Sequence, residues 1–301
     1  MKTSIRVVLP SSAAPVCTAA LLLIPSSTPA QNLFVTSYFN GNLIEVTPNG
    51  GQSIFASALD LPFALAFNNA GDLFVASEGS GNVYKFTPNG TRSTFASGVE
   101  DPSGLAFNSA GDLFVSAFNS GNIYKFTPDG TRSTFASGLS DPTALAFNSA
   151  GNLFAIENGA GTVTKITPGG VKSTFASGFS IPYGLAINSA GDVFVGNTYG
   201  LNIIKITPDG VQSIFAAGLA HPEGLAFNTT GVLFEGDMNG DINEFTPDGA
   251  ESNFTSGLDG LFGMAFQVPE PSPLGLLSVG AMLFALRRRP SEASRQSPPI
   301  S

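Results

Sequence analysis

The chain has 301 residues, 43% hydrophobic and 12% charged, with a formal net charge of −9, a balance that suits a folded body with an extensive core and excludes a largely disordered chain. Its 13 Lys and Arg stand against 22 Asp and Glu, and three of the arginines form one C-terminal cluster. No basic surface is left to neutralise phosphates, so nucleic acid is excluded as a partner.

Residues 1–30 read as a secretory signal peptide. Lys2 and Arg6 supply a positive start, 16–24 an apolar centre and Thr28-Pro29-Ala30 a small-residue exit, so signal peptidase is expected to cut near Ala30. The single cysteine, Cys17, falls inside this segment, and the mature body is expected to have no thiol, disulfide or cysteine metal site.

The dipeptide Thr-Pro then recurs at 47, 87, 127, 167, 207 and 246, in steps of 40, 40, 40, 40 and 39 residues. In the unit that begins at Pro102, four short runs are rich in aromatic and β-branched residues: 105–107, 113–115, 123–126 and 133–136. Their length and composition predict strands. Between them lie Asn108-Ser109-Ala110-Gly111-Asp112, Asn119-Ser120-Gly121-Asn122 and Pro128-Asp129-Gly130, where Gly, Asn and Asp supply positive φ and Pro presets a turn. Each unit therefore reads as a four-stranded antiparallel meander. Its Phe slots, such as Phe107, Phe114, Phe126 and Phe135, are buried only if units stack.

The body, 31–267, begins in mid-unit at Leu33-Phe34-Val35 and ends in mid-unit at Gly263-Met264-Ala265-Phe266. The two fragments complete one unit. An all-β, six-bladed β-propeller follows, its ring closed by pairing N- and C-terminal strands so that the free edges disappear. The pattern P-x-G-L-A-F-N-x-A-G-D-L-F-V at 102–115 and 182–195, with G-N-I-Y-K-F-T-P-D-G at 121–130, resembles the NHL and SMP-30/gluconolactonase-like propellers over residues 32–267. That resemblance implies the fold; the architecture hosts lactonases, lyases and plain binding modules.

After the body, Val268-Pro269-Glu270-Pro271-Ser272-Pro273 precedes an apolar stretch, 274–286, and Arg287-Arg288-Arg289. Residues 268–289 resemble a PEP-CTERM sorting signal, which implies a Gram-negative envelope, a transient inner-membrane tail and an exosortase that passes the body to the cell surface or extracellular matrix. Thirteen apolar residues rise only about 20 Å as a helix, short of the ~30 Å hydrocarbon core. A disordered tail is expected over 290–301.

Where the units are copies, the fold explains them; function is sought where one slot differs between units. The x of P-x-G reads Phe63, Ser103, Thr143, Tyr183 and Glu223, with Phe262 in the closing unit. Three residues past the second-run Phe stand Ser37, Ser77, Ala117, Glu157, Asn197 and Asp237. Both slots lie at one sheet edge, the mouth of the central channel. Glu157, Asn197, His221, Glu223 and Asp237 are thus candidate binding residues, and Glu223, Asp237, Asn197 and Glu157 are candidate ligands for a divalent cation such as Ca²⁺. In the gluconolactonase-like enzymes the metal ligands are acidic and amide groups at the P-x-G slot, and only Glu223 matches. The expectation is a non-catalytic module that binds an envelope polysaccharide, an envelope protein or a small ligand; the alternative is a metal-dependent lactonase. Asp237-Met238-Asn239-Gly240-Asp241 starts like a calcium loop but lacks its Gly and Glu, and reads as a turn.

Overall fold

The structure, a computed structural model, describes residues 31–267; the signal peptide and the sorting signal lie outside the described residues. The unit at Pro102 folds as strands Pro102–Phe107, Leu113–Ala117, Asn122–Phe126 and Arg132–Ala136, paired antiparallel in chain order. The first strand starts three residues before the predicted run, because the fixed φ of Pro102 suits an edge strand that needs no donor there. Six such sheets form the ring. In blade 1 the C-terminal strand Met264–Phe266 pairs with Leu33–Ser37, with Leu33 opposite Phe266 and Val35 opposite Met264, and the Gln267 N–H donates to the Asn32 carbonyl at 2.9 Å. Blades 2 to 6 follow in sequence, their innermost strands starting at Pro62, Pro102, Pro142, Pro182 and Pro222.

Side-chain chemistry closes the turns. Asn108 Oδ1 accepts from the N–H groups of Ala110 and Asp112 at 3.0 and 2.9 Å, and Lys125 reaches Asp112 at 2.6 Å. Burial pushes the Asp112 carboxyl up, but hydrogen bonds from Lys125 and Asn108 outweigh it and hold the group below its ordinary value. The same device recurs with Lys85–Asp72 and Lys205–Asp192.

Between blades the recurring contact is aromatic. Phe114 of blade 3 stands edge-on to Phe135 of its own outer strand at 4.9 Å and to Phe147 of blade 4 at 5.0 Å. Such pairs contribute about 0.5–1.5 kcal/mol each beyond their buried area. Phe234 repeats the arrangement with Phe254 and with Phe266 of the closing strand, at 5.0 and 4.9 Å, so the ring is sealed by the contact that joins the other blades, save blades 4 and 5, where Ile187 takes the place of the Phe.

At the channel the innermost strands meet backbone to backbone. A Cβ on Gly104 would lie 2.0 Å from the Thr143 carbonyl oxygen, and one on Gly263 2.5 Å from that of Phe63. The glycine of P-x-G is therefore steric, and the residue before it faces the channel mouth.

Because all strands of the ring lie within 31–267, a chain ended at Gln267 is expected to melt with the midpoint of the full chain. One ended at Leu261 loses the Met264–Phe266 strand, about 5 kcal/mol of apolar burial, and its midpoint should fall by roughly 10–20 °C. Thermal circular dichroism of the two truncations checks this.

Candidate functional site at the channel mouth

The channel is lined by Phe63, Ser103, Tyr183, Glu223 and Phe262 from five of the P-x-G slots, above a floor of leucines such as Leu65, Leu105 and Leu185. The open volume inside it is only about 80 Å³, so a ligand of any size must rest on the mouth. Aromatic rings cap one side. Phe63 stacks on Phe262 at 4.6 Å, and Tyr183, from the opposite side of the ring, reaches both at 6.1 and 5.6 Å. Tyr38 stands edge-on to Phe262 at 5.1 Å and donates its hydroxyl to Glu78 Oε2 at 2.8 Å. Burial raises the Glu78 carboxyl above its ordinary value, against the lowering effect of the Tyr38 hydrogen bond.

Glu223 sits beside this cap. It is 2% exposed, and its Oε2 has no hydrogen-bond partner. Burial, with a second push from the Asp237 charge, raises its pKa to about 8, so at neutral pH it is held as a neutral acid. Asp237 is opposite Pro222 in the strand register. Its Oδ1 accepts from the Asp241 N–H at 3.0 Å, closing the turn that the calcium-like sequence forms, and burial raises its pKa too.

Of the five sequence-predicted residues, the structure brings Glu223 and Asp237 together. Glu157 Oε2 accepts from the Ser140 N–H at 2.8 Å and its Oε1 accepts from the Thr164 hydroxyl. Asn197 accepts from the Ser180 N–H at 2.6 Å and donates to Asn202 at 2.9 Å. Both clamp the loop that enters their own blade, as Ser77 does with the Asp60 carbonyl at 2.6 Å. His221 sits in the loop before Glu223 at φ +59°, its ring edge-on to Tyr199 at 5.4 Å. Among the described residues, no three His, Cys, Asp or Glu side chains gather as a metal-holding group.

Two acids escaped the slot comparison. Glu235 is fully buried, its Oε1 lacks a partner, and its Oε2 accepts from Asn243 at 3.1 Å. Burial lifts its pKa to about 8. Its signal was present two residues before Asp237, where the other blades carry Val35, Val75, Val115, Ala155 and Val195. Glu78 lies one residue beyond the second slot.

With this geometry in view, comparison with known proteins gives two results. The propeller is similar in structure to a chain of the nidogen/laminin complex (15% identity, 80% of this chain and all of that one, TM-score 0.73). It is also similar to virginiamycin B lyase from Staphylococcus aureus (16%, 76% and 82%, TM-score 0.60) and to a putative gluconolactonase (16%, 69% and 81%, TM-score 0.60). At these identities the likeness shows the six-bladed fold alone. No curated protein matches the chain significantly. Residues 267–289 match the PEP-CTERM protein-sorting motif. The chain is thus an exported, envelope-sorted β-propeller that carries the mark of an exosortase substrate.

The buried acids set a pH dependence of stability. Glu223 and Glu235 have folded pKa values near 8 against an ordinary 4.5, so the folded state keeps protons that the unfolded chain has released. The stability these two groups contribute is fully present below about pH 4.5 and is lost as pH rises to about 8. Replacing Glu235 by Val, the residue of four other blades, should raise the melting midpoint at pH 8 by several degrees and flatten the decline. Thermal melts between pH 5 and 8.5 check both.

Proposed function

We propose that this protein is a non-catalytic binding module of the cell surface or extracellular matrix, and that the channel mouth is its binding face. The observation that carries the reading is Glu223: a buried acid with an unpartnered oxygen, placed beside the Phe63–Tyr183–Phe262 cap at a slot where the other blades have no acid. Rings with a convergent polar group are the usual make-up of a ligand site. An envelope polysaccharide, an envelope protein or a small ligand would rest across it, since the channel below is too narrow to admit one.

The position of the chain ends supports the orientation. Asn32 and Gln267 lie at the ends of their strands remote from the mouth, so a body passed on from its sorting tail presents the mouth outward. Support for a binding role over a metal-dependent lactonase comes from Glu157 and Asn197, whose oxygens are already committed to loop N–H groups.

The test is a binding screen of envelope glycans and proteins against the wild type and against Glu223→Gln and Phe262→Ala. Each variant should weaken the ligand found by about tenfold or more, a loss of roughly 1.4 kcal/mol. A ligand held equally well by both variants would move the site elsewhere. EDTA should leave the melting midpoint unchanged; a rise of several degrees with Ca²⁺, equivalent to about 2.7 kcal/mol at 100 times the Kd, would restore the lactonase reading.

A further inference from the structure

The six loops that enter the blades and the six hairpins between second and third strands together make the mouth face, and none of these twelve segments carries Lys or Arg. The loops around blades 2 to 4 carry Asp60, Glu78, Glu100, Asp101 and Asp141. The other half has Asp241 and Asp259, but its large exposed side chains are apolar. Ile181, Tyr199 and Leu201 of blade 5, Met238 of blade 6 and Phe39 of blade 1 are between 40% and 63% exposed. Backbone contacts make this arc continuous: the Tyr199 N–H donates to Ser180, and the Leu201 carbonyl accepts from Gly218 and Leu219, which lead to His221.

Two of these side chains are held at a conformational cost. Leu201 has φ +54°, at the hairpin position where every other blade has glycine: Gly41, Gly81, Gly121, Gly161 and Gly240. Ile181 has φ +48°, a conformation that Leu61, Asp101, Asp141 and His221 share at the same loop position, but it alone puts a β-branched residue there, which is an outlier. Both side chains stand partly in solvent, at 40% and 41% exposure, so the core gains little from them. Strain kept without a packing return points to a surface used for recognition.

We propose that the mouth face docks a basic, apolar polypeptide segment, with its Lys or Arg side chains over the acidic loops of blades 2 to 4 and its large apolar side chains on the arc of blades 5, 6 and 1. This rests on the mouth being the binding face. Charge complementarity selects the cations, and separate branched and aromatic side chains standing out from the arc suit a peptide better than the flat face of a sugar. An ammonium or guanidinium group that reached the cap would find both the aromatic faces that attract cations and, in Glu223 Oε2, a buried oxygen with no partner.

The experiment uses the full chain in non-ionic detergent and a fluorescent peptide alternating Arg and Leu, titrated by anisotropy at 50 and 300 mM salt. Binding should weaken several-fold at the higher salt and about tenfold in a Glu100→Gln, Asp101→Asn, Asp141→Asn variant. Leu201→Gly should bind at least threefold more weakly while its melting midpoint rises by a few degrees, a pairing that loss of folding does not produce. Equal affinity for a peptide with Glu in place of Arg, or unchanged affinity in Leu201→Gly, overturns the proposal. Binding of a chitosan oligomer or a neutral glucan in place of the Arg peptide, lost in Phe262→Ala, overturns the polypeptide but keeps the mouth as the binding face. Failure of all these probes to bind defeats both.

Discussion

Neighbouring blades approach at their innermost strands until backbone touches backbone. With the Gly104 Cβ position 2.0 Å from the Thr143 oxygen and the Gly184 position 2.6 Å from that of Glu223, the strand can carry only a small residue at that point, and blades 2 and 4 allow no more than Ala64 and Ala144. This constraint sets the channel's width. It also forces the preceding residue to face the mouth, so six single positions, one per blade, decide what the mouth is made of. Chemistry can change at those positions without disturbing the stacked Phe layer farther out, whose edge-to-face contacts repeat from blade to blade. Core and site are thereby separated along each strand.

That separation explains what was legible. The strands, the turn chemistry and the ring closure follow from a period of 40 and from two half-units whose hydrophobic faces need one another. Glu223 and Asp237 were legible because each breaks a slot that faces the channel or its rim. Glu157 and Asn197 break the second slot as well, but that slot also faces the N–H groups of the incoming loop, and an oxygen there is captured locally. Ser77, which holds the Asp60 carbonyl from the same slot, is the hint. Spacing alone does not distinguish an acid that caps a loop from one that faces a ligand. Glu235 was missed for the opposite reason. It lies on a face that reads as valine core in the other blades, and a carboxyl in a core slot has no periodic signature. The aromatic cap was visible as three departures from an acidic pattern, yet its meaning depends on Phe63 and Tyr183 meeting across the channel, which no local spacing encodes.

The departures from the repeat are not evenly spread. Blade 3 has a serine pair at its inner edge, with Ser103 and Ser116 hydrogen-bonded to each other and to blade 4. Blades 5 and 6 carry Leu201 at the positive-φ hairpin position that is glycine in every other blade, the short 3₁₀ turn Thr198–Gly200, the two buried carboxyls with a partnerless oxygen, Glu223 and Glu235, and a unit one residue shorter than the rest. Leu201 and Glu235 lower stability, and the repeat offers a ready replacement for each: glycine for Leu201, valine for Glu235. A fold that can be idealised so easily, and is not, concentrates its costs where local rules yield to use.

Closure also bears on sorting. The strand that completes blade 1 ends at Phe266, and Gln267 makes the last backbone bond to Asn32. The matched sorting motif begins at 267. The last strand that the ring needs therefore ends where the matched sorting motif starts. Had the closing strand been taken from the N-terminal side, the fold could be complete with its C-terminus anywhere. Because the chain closes with its C-terminal strand, the ring is sealed only when synthesis has reached the start of the sorting motif. The segment that leads into the same strand carries Phe262 to the cap, so the channel mouth is finished by the last part of the body to be made.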